Sequence, residues 1–153
     1  MAKKQAPTGR SGSSGTPTCS CLVLCDDVVI SHGHDKHRLD GIIGSMNVPF
    51  VPHPIPGGVV YVRVSNIHQT EKLKVSLVRA DDDHQPLWEI EAEIVSRNEP
   101  LDVHTLVARV PPFMVDRAGR FLLEARHKGV QIASVPVMIQ AAFPSPPAGV
   151  RTE

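Results

Sequence analysis

The stretch "LWEIEAEIV", Leu87 to Val95, decides the fold class of this chain. Trp88, Ile90, Ala92 and Ile94 alternate with Glu89, Glu91 and Glu93. Successive side chains of a strand point to opposite faces, so this segment has one apolar face and one charged face. On a helix of about 3.6 residues per turn the glutamates would be scattered around the circumference. "EKLKVSLV", Glu71 to Val78, repeats the signal, with Leu73, Val75 and Leu77 set against Lys72, Lys74 and Ser76. The intervening "RADDDHQP" reads as a hairpin connection. The sole tryptophan, Trp88, shares a face with Ile90 and is expected to anchor the core.

Working outward, six more stretches read as strands: Cys21 to Ser31, Leu39 to Val48, Gly58 to Asn66, Val103 to Val110, Arg120 to His127 and Val130 to Gln140. "RHKGVQ" joins the last two, and Gly129 can take a positive φ in that turn. The proline-rich "VPFVPHPIPGG" reads as a loop or edge segment, because proline donates nothing to a sheet ladder. "PPFMVDRAG" holds one short helical turn at most. The pattern predicts an all-β domain, an antiparallel β-sandwich of about 7–8 strands of immunoglobulin or C2 type. It spans residues 19–142, between tails at 1–18 and 143–153 that are rich in Gly, Ser, Thr and Pro and read as disordered.

Whole-chain totals narrow the function classes. Lys plus Arg equals Asp plus Glu at 16 each, so the basic excess expected of a nucleic-acid binder is missing. No stretch approaches the roughly 18 apolar residues that span a bilayer, and no apolar segment follows Lys3 and Lys4 as a secretory signal would. Three cysteines, Cys19, Cys21 and Cys25, cannot all pair within one chain and fit a reducing cytoplasm. As alternate residues of a strand they are expected on one face, as small buried or edge residues.

"LCDDVVI" (Leu24 to Ile30), "LDGIIGSM" and "RAGRFLLEARHKGVQIASVPVMI" carry a resemblance. Over about residues 20 to 140 the chain is similar to a bacterial family of small β-sandwich domains of unknown function. The resemblance implies a fold and brings no catalytic residues with it. Where that family has an ordinary first hairpin turn, this chain has "SHGHDKH".

That loop is similar to the His-x-His-x-Asp-His zinc loop of the metallo-β-lactamase superfamily. The order here is His32-Gly33-His34-Asp35-Lys36-His37. Asp35 comes one residue early, and the ammonium of Lys36 would repel a dication. The plain reading is a solvated polar turn. The alternative is a transition-metal site, since neutral imidazoles suit Zn, Ni or Cu. If successive strands run antiparallel, alternate connections share one end of the domain. His32, His34, His37, His68, His104 and His127 would then gather at one pole, with Glu99, leaving His53 and His84 at the other. The candidate metal ligands are therefore His32, His34, His37, His68 and His127. The run "DDDH" near Asp116 offers too few carboxylates for calcium.

No phosphate loop with a Gly-Lys-Ser/Thr ending and no Gly-x-Ser-x-Gly elbow is present. The expectation is a non-enzymatic interaction or structural module with a protein partner, and no nucleic acid, membrane or resident cofactor. The alternative is a small metal- or ligand-binding protein using the histidine-rich pole. An enzyme with an unrecognised site is the third reading.

Overall fold

Alternating apolar residues can bury one face only against another sheet, and the chain does this throughout. The computed structural model is described over residues 15–31, 36–81, 85–96 and 102–142. Within them lie eleven strands: β1 (Thr18–Ile30), β2 (His37–Ile42), β3 (Ser45–Val48), β4 (His53–Ile55), β5 (Gly58–Ser65), β6 (Glu71–Arg79), β7 (Pro86–Ile94), β8 (His104–Val110), β9 (Phe113–Val115), β10 (Gly119–His127) and β11 (Val130–Ala141). They form a four-stranded sheet in the order β2-β1-β5-β8, a five-stranded sheet in the order β3-β11-β10-β6-β7, and a small β4-β9 ribbon. No described helix is long and apolar enough to cross a membrane.

One core cluster draws on both main sheets. Leu22, Leu24, Val60, Val62 and Val64 come from the first, and Leu73, Val75, Leu77, Phe121, Leu123 and Val137 from the second. Trp88 joins it, as its place in the alternation requires. Burying a side chain such as Phe121 contributes about 2–3 kcal/mol relative to leaving it in water. On the outer face of β6 and β7, Lys72 and Lys74 reach Glu91 and Glu89 at 3.4 and 3.3 Å. These pairs are exposed and each contributes about 0–1 kcal/mol.

The strand count corrects the sequence expectation of 7–8. The predicted Leu39–Val48 strand breaks at Ile43 and Gly44, and its second half becomes β3 in the other sheet. There β3 runs parallel to β11, so the pairing is not purely antiparallel. The proline-rich segment contains β4, and the supposed helical turn contains β9. Those two strands pair with each other through His53–Val115 and Ile55–Phe113. Pro54 is tolerated there because the ribbon has no third strand to serve.

The cysteines do not share a face. A register shift between Cys19 and Cys21 inserts a bulge into β1, and a bulge moves the following side chains to the other face. Cys19 packs against the core, as Leu22 and Leu24 do, while Cys25 is buried on the opposite side. Burial raises the Cys25 thiol pKa, and Asp26 and Asp27 raise it further. Burial also raises that of Cys19. Both are therefore held as thiols, the poorly nucleophilic form.

The β10–β11 turn matches its sequence signal. Lys128 and Gly129 both take positive φ, 49° and 77°, the combination that suits a tight hairpin. At the opposite end Gly57 has φ 104°, and a Cβ there would lie 2.3 Å from the Val110 carbonyl oxygen. Glycine at 57 is what lets the chain enter β5 against the end of β8.

The pairing also reveals a fold-back. Tyr61 lies opposite Val23 on β1, and His37 lies opposite Ile30, seven residues further along (30 − 23). On a straight strand that offset is about 23 Å. Yet His37 Nδ1 lies 2.6 Å from the Tyr61 hydroxyl, and the rings meet edge-on at 5.6 Å. The far half of β1 must therefore curl back with β2 across the outer face of its own sheet. The cover explains why Val59 and Tyr61 on that face are as buried as Val60 and Val62 on the core face. Gly41 sits in this hairpin at φ 65°, where a Cβ would lie 2.0 Å from Asp26 Oδ2.

Candidate functional site

The end of the domain where β5 finishes and β6 begins collects most of the described histidines. Val64 pairs with His104, and Leu73 pairs with His127, so both histidines lie at that lower end. His68 lies in the connection between β5 and β6. The simple alternation argument does not place the first connection there, because β5 is paired antiparallel to β1 and two extra strands intervene. The fold-back supplies what the alternation does not. It carries His37 down to a groove of about 640 Å³ shared with Arg63, Glu93, Asp102, His104 and Thr105. His53 lies at the upper end on β4, as expected. His32, His34, Asp35, Asp82, Asp83, His84 and Glu99 lie outside the described residues.

Each described histidine at this end has its own local chemistry. His37 contacts Tyr61, as above. His68 Nε2 donates to Asn66 Oδ1 at 2.8 Å, and Asn66 Nδ2 donates in turn to the Thr16 carbonyl at 3.0 Å. This small network ties the start of β1 to the turn after β5. His104 Nε2 is buried and has no hydrogen-bond partner among the described residues. His127 Nε2 donates to Glu71 Oε2 at 2.8 Å. Of the five residues proposed from sequence as metal ligands, the three that are described, His37, His68 and His127, are not brought together. His37, His68 and His127 have separate partners, and among the described residues no group of three or more His, Cys, Asp or Glu is placed to hold a metal ion.

The Glu71–His127 pair is the residue set that sequence reasoning missed. Both side chains are about nine-tenths buried, at 10% and 9% exposure. Glu71 has the parity of Leu73, Val75 and Leu77, and His127 has that of Phe121, Leu123 and Ala125. An acid and a histidine each on the apolar face of adjacent strands is the signal that marked them. The His127 hydrogen bond holds the Glu71 carboxyl below its ordinary range against the opposing effect of burial, with help from Gln69 and Lys128. Asp116, the one further carboxylate considered for calcium, is engaged by Arg79, and that contact lowers its pKa.

The groove side of the domain is also apolar. Val95 and Val103 line it and are exposed, and Val107 is exposed on the adjoining face of β8. The groove lies on the flank where the two sheets end, at β7 and β8. It is open, mixed in charge and bordered by two strand edges.

Compared with known families, residues 20–140 match the model of a family of unknown function, DUF6941. No curated protein matches the chain.

Proposed function

We propose that this chain, which belongs to the family of unknown function DUF6941, is a non-enzymatic interaction module on an immunoglobulin- or C2-like β-sandwich. The core shared between the four- and five-stranded sheets supports the sandwich reading. The observation that carries the function is the β7–β8 flank, where Val95, Val103 and Val107 stand exposed beside a polar groove. Apolar side chains rimmed by polar ones mark contact surfaces. The thiols of Cys19, Cys21 and Cys25, free of disulfides, support a reducing cytoplasm as its setting. Affinity capture from the native cell with wild type and a Val95→Asp, Val103→Asp variant tests this. The bound protein should be lost from the variant, and equal recovery by both would remove the flank from the function.

A second reading is ligand or transition-metal binding at the lower end. The open groove that His37 and His104 line with Arg63, Glu93 and Asp102 favours a polar ligand there, while the described residues alone are not placed to hold a metal ion. Titration with Zn²⁺, followed through the imidazole resonances, decides. Unmoved signals from His32, His34, His37 and His104 at one equivalent would eliminate it.

A further inference from the structure

Unpaired strand edges are templates for association, and natural sheets guard them. Among the described residues, the outer edges of the two main sheets are guarded with one exception. β3 is only four residues long. β2 exposes the Arg38–Asp40 ion pair and bends at Gly41. The lower half of β1, which β2 does not cover, carries the Cys19–Cys21 bulge. β7 opens on Pro86, has a register shift at its start and presents three glutamates. In β11 the N–H of Met138 donates to Gly44 and that of Ala142 to Val48, both away from β10. The β10–β11 register is unbroken from Ala133 to Ile139, so residue 136 faces the same outer side. That residue is Pro136, whose missing N–H blunts the edge where β3 does not reach.

β8 has none of these devices. It pairs with β5 without a register shift from Gly58–Val110 to Val64–His104, and no described strand pairs with its other side. Its central residues, Thr105 to Ala108, carry no charge, proline or glycine. Exposed Val107 sits among them, with Val103 and Val95 alongside.

We propose that a second copy of this chain docks here, with β8 of each copy pairing antiparallel across a two-fold axis to join the two four-stranded sheets. This rests on the interaction reading above and names its partner. Charge sets the direction. On the edge strand itself exposed Arg109 stands at the upper end, with Asp26 across the sheet from it, and Asp102 leads into the lower end, with Glu93 and Arg63 beside it. Antiparallel pairing turns Arg109 of each copy toward Asp102 of the other, whereas parallel pairing sets like residues together. The formal net charge of zero adds no long-range repulsion between copies.

Sedimentation equilibrium of the full chain tests the assignment. Wild type should be a reversible dimer. Val107→Lys places a charge at the centre of the edge, at an exposed position that leaves the core untouched. With its thermal melt unchanged, it should weaken dimerisation by about a hundredfold, since like charges meet across the axis. Arg109→Glu should also weaken it, and Arg109→Glu with Asp102→Arg should restore it. A monomer at every concentration, or a dimer indifferent to Val107→Lys, overturns the proposal. Capture of a different protein by a monomeric wild type, lost in Val107→Lys, overturns it as well while leaving the broader interaction reading standing. Absence of both self-association and capture removes the two together.

Discussion

Replacing Glu71 and His127, singly and together, probes how the lower end is held. The two side chains face each other on β6 and β10, 2.8 Å apart and about nine-tenths buried. Glu71→Leu leaves the imidazole without its acceptor inside the domain. His127→Leu leaves a carboxylate with Gln69 at 3.3 Å and Lys128 at 3.9 Å. Breaking a buried pair from one side costs about 3–5 kcal/mol when the remaining group has no other partner. Gln69 and Lys128 lessen that for His127→Leu, so about 2–3 kcal/mol is expected there and slightly more for Glu71→Leu. The double replacement removes both polar groups and continues the apolar stripes of Leu73 and Ala125. It should cost far less than the sum, with a coupling energy of about 1.5–3 kcal/mol. Urea unfolding of the four proteins at neutral pH measures this. Additive losses would refute the pair as a unit.

The pH arm has a definite sign. The folded-state pKa of Glu71 lies below its ordinary value of 4.5, so the ionised form favours folding. That contribution is present in full above the unfolded value and is lost as pH falls through the lower folded value. The stability gap between wild type and Glu71→Leu should therefore be widest near neutrality and narrow in acid below that value. A gap that stays constant into strong acid would show that the carboxylate charge contributes nothing.

Two other replacements test the frame around the site. Gly57→Ala puts a Cβ 2.3 Å from the Val110 carbonyl at a φ of 104°, so a loss of about 2 kcal/mol or more in chemical denaturation is expected. Wild-type stability in that variant would mean that β5 does not approach β8 this closely. Tyr61→Phe removes the hydroxyl that holds His37 and should cost about 1 kcal/mol. Its amide exchange should quicken mainly in residues 25–30 and 37–42, the folded-back hairpin, and unchanged exchange there would show that other contacts hold it.

Much of the architecture was legible in the residues. The alternation at Leu87–Val95 and Glu71–Val78 depends on nothing but the two-residue repeat of a strand, so β6 and β7 and their apolar faces followed directly. The Lys128–Gly129 turn was marked by its glycine. The short strands β4 and β9 were hidden, because a three-residue ribbon with a proline carries no periodic signal and exists only by mutual pairing. The bulge that separates Cys19 from Cys21 was equally invisible, since one inserted residue reverses face without any change of composition.

The candidate site divides the same way. Sequence alone determined the fold class and the core stripes, because these depend on local periodicity, and it marked histidines near the ends of several strands. It did not determine which partner each histidine meets. That rests on the curl of β1 and β2 over their own sheet, which brings His37 to Tyr61 across what a straight strand would make about 23 Å and sets it in one groove with His104. It rests also on the packing that places Glu71 beside His127, fifty-six residues apart in the chain. Tertiary structure decided these contacts because they depend on long-range pairing and strand curvature, which local side-chain order does not encode.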